Sequence, residues 1–442
     1  MRKVRVFSVF SILSLAGIPN LLLTISMTTA LTFGVTNVSF AQDAPKTRRV
    51  PTLRARVYEQ LARAQTESEA GNVEDAIGIL DDVKAKIGSM NAYEIATMYN
   101  FYGFIYYEQE NFPKTIESFE RAIEQTPIPI GFEQTALYSL AQLNMVEGDY
   151  KKVIDYLERW EALATGDIPP RNMILKAQAF YQDKQFAEAG YLIEKAIAAH
   201  EAEGYLPDEN WLILQRAIYF ELKQPVKVKD TIAKLIRLYD TPTYWIQLAG
   251  MYGELEENEK QLATMEIAYQ RGYVTSGSDI FMLSQLYYFN GIPYKGARLM
   301  EEGLSSGVLE ENLRNTQFLA QSWQAAREDN KAINAFEIAA DLSEDGELDA
   351  QLALLYYNND KFDKAIEASN RAIDKGELRN PGNTYMVLGL ALYNKRQFAD
   401  AITTLAKAEE FAPSRASARQ WRGFVEREKT TYEARVALEA AG

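Results

Sequence analysis

Cysteine is absent from the 442 residues, and histidine occurs once, at His200. Without cysteine there are no disulfides and no thiolate metal ligands, and with one imidazole the usual zinc and iron sites lack their ligands. Basic residues are also fewer than acidic ones: 47 Lys and Arg against 61 Asp and Glu give a formal net charge of −14. Such a surface repels nucleic acid and anionic lipid. We therefore predict no metal site, no cofactor and no nucleic-acid partner.

Signatures of catalysis are equally scarce. No stretch alternates with the period of a strand for more than a few residues, so a phosphate-binding loop or a nucleophile elbow has no strand to follow. Carboxylates do occur in pairs, such as Asp81-Asp82 and Glu256-Glu257. Adjacent residues on a helix do not face each other, so these pairs are solvated surface groups. We predict no catalytic residues and no enzyme activity.

The first 41 residues have the three-part layout of a secretory signal peptide. Three basic residues lie within the first five, and the stretch from Val6 to Gln42 is uncharged. It contains an apolar run over 21–33 and ends with small residues at Ser39 and Ala41. We predict cleavage after Ala41 and a periplasmic protein. The alternative is an uncleaved anchor, because the uncharged span exceeds the ~20 residues that cross a bilayer; membrane contact would then be confined to this segment.

A repeated helical pattern begins after a basic linker predicted over 42–56. The stretch from Ala96 to Pro127 has aromatic, small and proline residues at positions 4, 7, 8, 11, 24, 27 and 32, counted from Ala96. They are Tyr99, Tyr102, Gly103, Tyr106, Phe119, Ala122 and Pro127. Positions 4 to 11 share one face of a helix, and positions 24 and 27 share one face of a second. The pattern resembles the tetratricopeptide repeat, a pair of helices joined by a turn. Glycine is unfavourable inside a helix, so Gly103 predicts that the second helix packs closely against it.

The same frame extends along the chain. Ten units begin near Val57, Ala96, Gln134, Pro170, Glu209, Pro242, Gly277, Leu313, Gly346 and Gly382. One hairpin cannot bury its apolar face alone, so neighbouring hairpins must stack. We predict an all-α, superhelical solenoid of about ten hairpins over 57–413, right-handed by the family resemblance. Residues 414–442 are predicted to form a C-terminal capping helix, with Trp421 and Phe424 covering the last repeat.

Aromatic residues recur on the predicted inner face. In tetratricopeptide proteins the first helix of each hairpin lines the concave groove, chiefly through positions 2, 5, 9, 12 and 13. On this resemblance we predict a groove that binds a protein or peptide partner. Its candidate residues are Phe104, Tyr107, Tyr138, Met145, Tyr181, Phe220, Phe281, Tyr288, Phe289, Tyr357 and Tyr393. Each one alone is equally compatible with the core. Their recurrence favours the groove, where tyrosine offers contact area and a polar tip.

The C-terminal third resembles a narrower group, the secreted tetratricopeptide proteins that accompany TonB energy-transduction systems. The matching stretches begin at Phe318, Asn380 and Gln420. The resemblance implies a periplasmic scaffold or adaptor that binds TonB, ExbB or ExbD components through its groove. The alternative is a cell-envelope assembly factor, or a self-associating structural scaffold, unrelated to TonB.

Overall fold

The computed structural model describes residues 48–441. The predicted signal peptide over 1–41, the first part of the linker and Gly442 lie outside the described residues. Within residues 48–441 all regular structure is helical, and no helix there has the length and apolar character needed to span a bilayer.

Residues 48–441 form ten helical hairpins followed by one long helix. The helices are α1 (Ala55–Glu69), α2 (Val73–Lys84), α3 (Ala92–Glu108), α4 (Phe112–Ile123), α5 (Ile130–Glu147), α6 (Tyr150–Leu163), α7 (Pro170–Gln182), α8 (Phe186–Ala202), α9 (Glu209–Glu221), α10 (Pro225–Tyr239), α11 (Pro242–Glu254), α12 (Asn258–Gln270), α13 (Gly277–Phe289), α14 (Pro293–Ser305), α15 (Leu313–Ala325), α16 (Asp329–Leu342), α17 (Glu347–Asn358), α18 (Phe362–Lys375), α19 (Pro381–Asn394), α20 (Phe398–Glu409) and α21 (Arg415–Ala441). A short 3₁₀ helix, Ile87–Ser89, precedes α3. The prediction of an all-α array of about ten hairpins is confirmed.

The chain divides into two compact units, with the boundary between Asp240 and Thr241. The first unit contains α1 to α10 and the second contains α11 to α21. Within each unit the two helices of a hairpin pack together, and each hairpin packs on the next. In the second unit the largest fully buried side chains are those of Trp323 and Phe336.

Position 8 of the repeat is where the two helices of a hairpin come closest. A Cβ atom added to Gly103 would lie 2.3 Å from a ring carbon of Phe119 on the second helix. The equivalent Gly389 faces Leu405 in the same way, at 2.8 Å. Most other hairpins have a small residue here, such as the fully buried Ala249. The close packing predicted from Gly103 is confirmed.

Position 15, in the turn of each hairpin, has a left-handed backbone. Gly71, Gly148 and Gly291 occupy it in three hairpins. In the other seven, a residue with a side chain has φ between 55° and 63°. These residues are Glu110, Lys184, Lys223, Glu256, Arg327, Asp360 and Arg396. A left-handed conformation is unfavourable for residues other than glycine, so these turns are held in place by the packing of the helices that they join.

A tyrosine, a lysine and a glutamate link successive hairpins. Tyr356 of α17 donates its hydroxyl hydrogen bond to Glu337 of α16, and Lys364 of α18 lies 3.1 Å from the same carboxylate. The ammonium of Lys364 also lies over the Tyr356 ring, 5.2 Å from its centroid. Burial and then the bond to Glu337 raise the pKa of Tyr356, while the bonds from Tyr356 and Lys364 lower the pKa of Glu337. The same arrangement recurs in Glu194–Tyr219–Lys227 and Glu266–Tyr287–Lys295.

The long helix α21 covers the last hairpin, as predicted. Ala418 and Val425 are fully buried. The rings of Trp421 and Phe424 lie 6.5 and 5.7 Å from that of Tyr393 on α19. An outermost hairpin would otherwise expose its apolar face, so this helix acts as a cap.

Candidate partner-binding groove

An open groove of about 550 Å³ lies between α13 and α15 in the second unit. Both are first helices of their hairpins, so the groove is formed by the face that the family resemblance assigns to partner binding. Its lining combines two aromatic rings, one leucine, one arginine and three glutamines. These residues, which define the α13–α15 groove, are Phe281, Gln285, Leu313, Arg314, Gln317, Phe318 and Gln321.

The floor of the groove is aromatic. The rings of Phe281 and Phe318 lie 5.1 Å apart, and Tyr288 lies 5.6 Å from Phe318. Phe281 and Phe318 are buried, while Tyr288 is half-buried. A bound side chain would therefore contact an apolar surface whose rings are already held in position by the packing of the fold.

Arg314 lies across one end of the groove. Its guanidinium is 4.0 Å from the centroid of the Phe281 ring, a cation–π contact that holds the charge in place. No carboxylate among residues 48–441 forms an ion pair with it, and the side chain is exposed. The nearby Asp279 and Glu310 accept hydrogen bonds from Ser276 and Asn312 instead. In a strongly acidic chain, this is a positive charge left available to a ligand.

Three side-chain amides line the groove between its ends. Gln285 belongs to α13, and Gln317 and Gln321 lie one turn apart on α15. All three are half-buried, and none has a hydrogen-bond partner elsewhere in residues 48–441. A glutamine amide offers two donors and an acceptor, the same groups that a peptide backbone presents. The groove thus has unused hydrogen-bonding capacity above an apolar floor.

The other end of the groove leads to an apolar turn, defined by Phe289, Ile292 and Tyr294 between α13 and α14. Their exposed fractions are 68%, 38% and 44%. The ring of Phe289 packs edge-on against Tyr288, 5.3 Å away. The turns of the neighbouring hairpins carry charged residues instead, for example Glu256 and Arg327. Exposed apolar residues concentrated at one turn are a feature of interaction surfaces.

The predicted site residues of the second unit separate into three places. Phe281 lines the α13–α15 groove, Tyr288 packs on Phe318 of its floor, and Phe289 packs on Tyr288. Tyr357 is half-buried and packs on Phe362 across its own turn, 5.8 Å away. Tyr393 lines a smaller cavity under the cap, of about 310 Å³, together with residues of α21.

The predicted site residues of the first unit lie on α3, α5, α7 and α9. Tyr181 is buried, and the other five are half-buried: Phe104, Tyr107, Tyr138, Met145 and Phe220. Tyr107 packs on Phe112 and Tyr181 on Phe186, with ring centroids 6.1 and 5.6 Å apart. Burial raises the pKa of Tyr138 and Tyr181. Tyr107 and Tyr181, both at position 12, therefore pack against the second helix of their own hairpin, and their role in partner binding stays a prediction.

Sequence reasoning missed the polar half of the groove. Arg314, Gln317 and Gln321 occupy positions 2, 5 and 9, which the resemblance assigns to the inner face, but the prediction there names only aromatic residues and Met145. Phe318 at position 6 lies outside these positions. The usable signal is a cation and two amides at positions 2, 5 and 9 of one unit, next to a unit with aromatic residues at inner-face positions 5, 12 and 13.

Residues 350–418 match the family model described as tetratricopeptide repeat. No curated protein matches the chain. Among solved structures, the chain is similar to YrrB, described as a TPR protein with an unusual peptide-binding site. The identity is 17% and the TM-score is 0.36, and the match covers 44% of this chain and 99% of YrrB. A tetratricopeptide repeat protein from Parabacteroides merdae is 10% identical (57% and 94% covered, TM-score 0.34). The Cut9–Hcn1 tetramer of APC/C is 13% identical (84% and 84%, TM-score 0.28).

The family match places tetratricopeptide repeats at residues 350–418, and the order of the helices extends the same hairpin architecture over the described chain. The architecture is that of a protein-interaction scaffold. Within residues 48–441 no group of His, Asp and Glu side chains is arranged to hold a metal ion.

Proposed function

We propose that this protein is an exported scaffold that holds a segment of another cell-envelope protein in the α13–α15 groove. The observation that carries the proposal is the groove itself: an aromatic floor and, within residues 48–441, three amides without hydrogen-bond partners and an arginine without a counter-ion, all on one open face. Such a surface gains most of its contact energy from aromatic anchors and takes its selectivity from the polar groups around them.

We propose further that the partner belongs to a TonB–ExbB–ExbD type transport system and that the scaffold works in the periplasm. Two sequence features support this: the signal-peptide layout of the first 41 residues and the resemblance of the stretches from Phe318, Asn380 and Gln420 to secreted proteins of such systems. A role in envelope assembly or in self-association would use the same groove with a different occupant.

Site-specific photo-crosslinking in cells tests the groove. A photo-reactive phenylalanine analogue replaces Gln317 inside the groove or, as a matched control, Arg298 on the exposed side of α14. We expect an adduct with a second envelope protein from position 317 alone, and we expect Phe281→Ala to abolish it because the floor is lost. Mass spectrometry of the adduct identifies the partner.

Each outcome separates the two levels of the proposal. An adduct with TonB, ExbB or ExbD supports the whole of it. An adduct with another envelope protein retains the groove and rejects the TonB association, and an adduct with a second copy of this chain favours self-association. Equal crosslinking from positions 298 and 317, or crosslinking unaffected by Phe281→Ala, overturns the groove.

A further inference from the structure

The polar groups of the α13–α15 groove have a spacing that distinguishes an extended ligand from a helical one. Gln317 and Gln321 are four residues apart on α15, so their amides repeat at about 6 Å along the helix axis. Two residues of an extended chain advance by about 6.6 Å, and alternate backbone groups then face the same side. A helical ligand has its backbone groups bonded internally and leaves the amides of Gln285, Gln317 and Gln321 unsatisfied.

The two ends of this surface differ in chemistry. Arg314, which forms no ion pair with another described residue, places a positive charge at one end, and Phe289 presents a 68%-exposed ring at the other. Helices alternate in direction along a chain of hairpins, so α13 and α15 run parallel. Arg314 is residue 2 of α15 and Phe289 is residue 13 of α13. The two are therefore about 16 Å apart along the helix axes, and the sideways separation of α13 and α15 adds to this distance.

From this geometry we infer that the α13–α15 groove binds an extended peptide segment in which an acidic residue and a bulky apolar residue are five or six positions apart. The acidic side chain pairs with Arg314, and the apolar side chain packs on Phe289 and the apolar turn. The intervening backbone bonds to the three glutamines. An extended chain of five or six residues covers about 17–20 Å, which matches the span. The inference rests on the proposed function and specifies the occupant of the same groove.

The charge of the chain supports an acidic end on the ligand. With a net charge of −14 the protein repels acidic segments over most of its surface. Arg314 is therefore a local exception. An acidic residue of the ligand is attracted to it only when the rest of the segment lies correctly along the groove. Binding would weaken with rising salt, since this pair is solvent-exposed.

Peptide display on the full chain tests the inference. Random segments of about twelve residues, long enough to span the groove in an extended conformation, are displayed on bacteria and selected for binding to the wild type. We expect enrichment of an acidic and a bulky apolar residue five or six positions apart. Arg314→Gln should remove the acidic preference, and Phe289→Ala the apolar one. For a selected peptide we expect affinity to fall about tenfold with either variant.

Two exposed residues outside the groove provide matched controls. Arg298→Gln removes an exposed guanidinium from α14, and Tyr191→Ala removes a 66%-exposed ring from α8 in the first unit. Both should leave the selected pattern unchanged. Both groove variants alter exposed side chains, and their far-ultraviolet circular dichroism should match the wild type.

The outcomes distinguish this inference from the proposed function. Enriched segments with apolar residues three and four apart, typical of a bound helix, overturn the extended ligand while leaving the groove in use. Enrichment that keeps its acidic preference in Arg314→Gln overturns the role of Arg314. No enrichment at all, or enrichment unaffected by both groove variants, overturns the groove as a peptide site.

Discussion

Single side chains set the distance between the helices of each hairpin. Gly103 and Phe119 illustrate this, because one carbon atom at position 103 would overlap the ring. The ring in turn packs edge-on against Phe104, 5.8 Å away. A residue as small as alanine therefore forces either the ring or the helix to move.

We predict that Gly103→Ala destabilises the protein by about 1–3 kcal/mol through overpacking. The opposing gain from replacing a helical glycine is at most about 1 kcal/mol. Urea unfolding followed by circular dichroism measures the difference. Gly131→Ala, at a helical glycine with open space around its Cβ position, should be neutral or stabilising. Equal effects from the two substitutions would contradict the packing account, and Phe119→Leu should partly rescue Gly103→Ala.

The hydroxyl of Tyr356 forms part of the contact between two hairpins. Tyr356→Phe removes the donor to Glu337 but keeps the ring and the Lys364 ion pair. We predict a loss of about 1.5–3 kcal/mol, typical of a hydrogen bond to a charged acceptor. Tyr357→Phe is the control, since its ring packs on Phe362 and its hydroxyl is not part of this contact. Indistinguishable unfolding midpoints for the two variants would show that the hydroxyl adds nothing.

At the scale of elements, the start of α3 is stabilised by one buried carboxylate. Glu94 is fully buried and accepts bonds from the Arg54 guanidinium at 2.6 Å and from the backbone N–H groups of Arg54 and Asn91. The Asn91 side chain in turn accepts bonds from the first N–H groups of the helix. The bond from Arg54 lowers the pKa of Glu94 to about 2, against the opposing effect of burial.

This lowered pKa predicts a specific pH dependence. A carboxylate whose folded pKa lies below its ordinary value stabilises the fold above that ordinary value, and the contribution disappears as pH falls through the folded pKa. The wild type should therefore exceed Glu94→Gln in stability near neutral pH, with the difference shrinking from pH 4.5 towards about 2. Urea midpoints across this range measure it. Glu59→Gln removes an exposed carboxylate and should show no such dependence; parallel profiles for wild type and Glu94→Gln would reject the assignment.

The elements could largely be predicted from the sequence, because the repeat frame is a packing pattern. The predicted unit starts at Pro170, Glu209, Pro242, Gly277 and Leu313 coincide with the first residues of helices. The units from Pro170 and Glu209 fit the pattern less well, and in the second of them position 8 is Arg216 instead of a small residue.

The candidate site was harder to predict, for a physical reason. Whether an aromatic ring packs across its own turn or lies open depends on its neighbour at position 17. Tyr107 and Tyr357 meet a phenylalanine there, whereas Tyr288 meets Pro293 at that position and packs on Phe318 of the next hairpin instead. In the sequence Arg314 and the glutamines resemble ordinary surface residues, because only the fold shows that they have no hydrogen-bond or ion-pair partner within residues 48–441. The division at Asp240 has no signature in composition.

At the scale of the whole molecule, the N-terminal sequence predicts where the array works. We predict that the cellular protein begins at Gln42 and fractionates with the periplasm, since the uncharged stretch ends in small residues suited to cleavage. N-terminal sequencing of purified protein and osmotic-shock fractionation check this. Ala41→Arg should block processing and retain a larger, membrane-bound form. An intact Met1 on wild-type protein in the soluble periplasmic fraction would contradict the cleavage.

The left-handed turns are positions at which the stability of the scaffold can be increased. Seven of the ten turns in residues 48–441 hold a charged residue in a left-handed conformation. Glycine there would relieve about 1–2 kcal/mol of backbone strain. The opposing effect, a higher conformational entropy of the unfolded chain, costs about 0.4–1 kcal/mol. Substitutions such as Lys184→Gly and Arg327→Gly would thus each raise the melting temperature slightly without touching the α13–α15 groove. The array can therefore be stabilised one hairpin at a time for use as an engineered binding scaffold. Its recognition surface can then be redesigned independently.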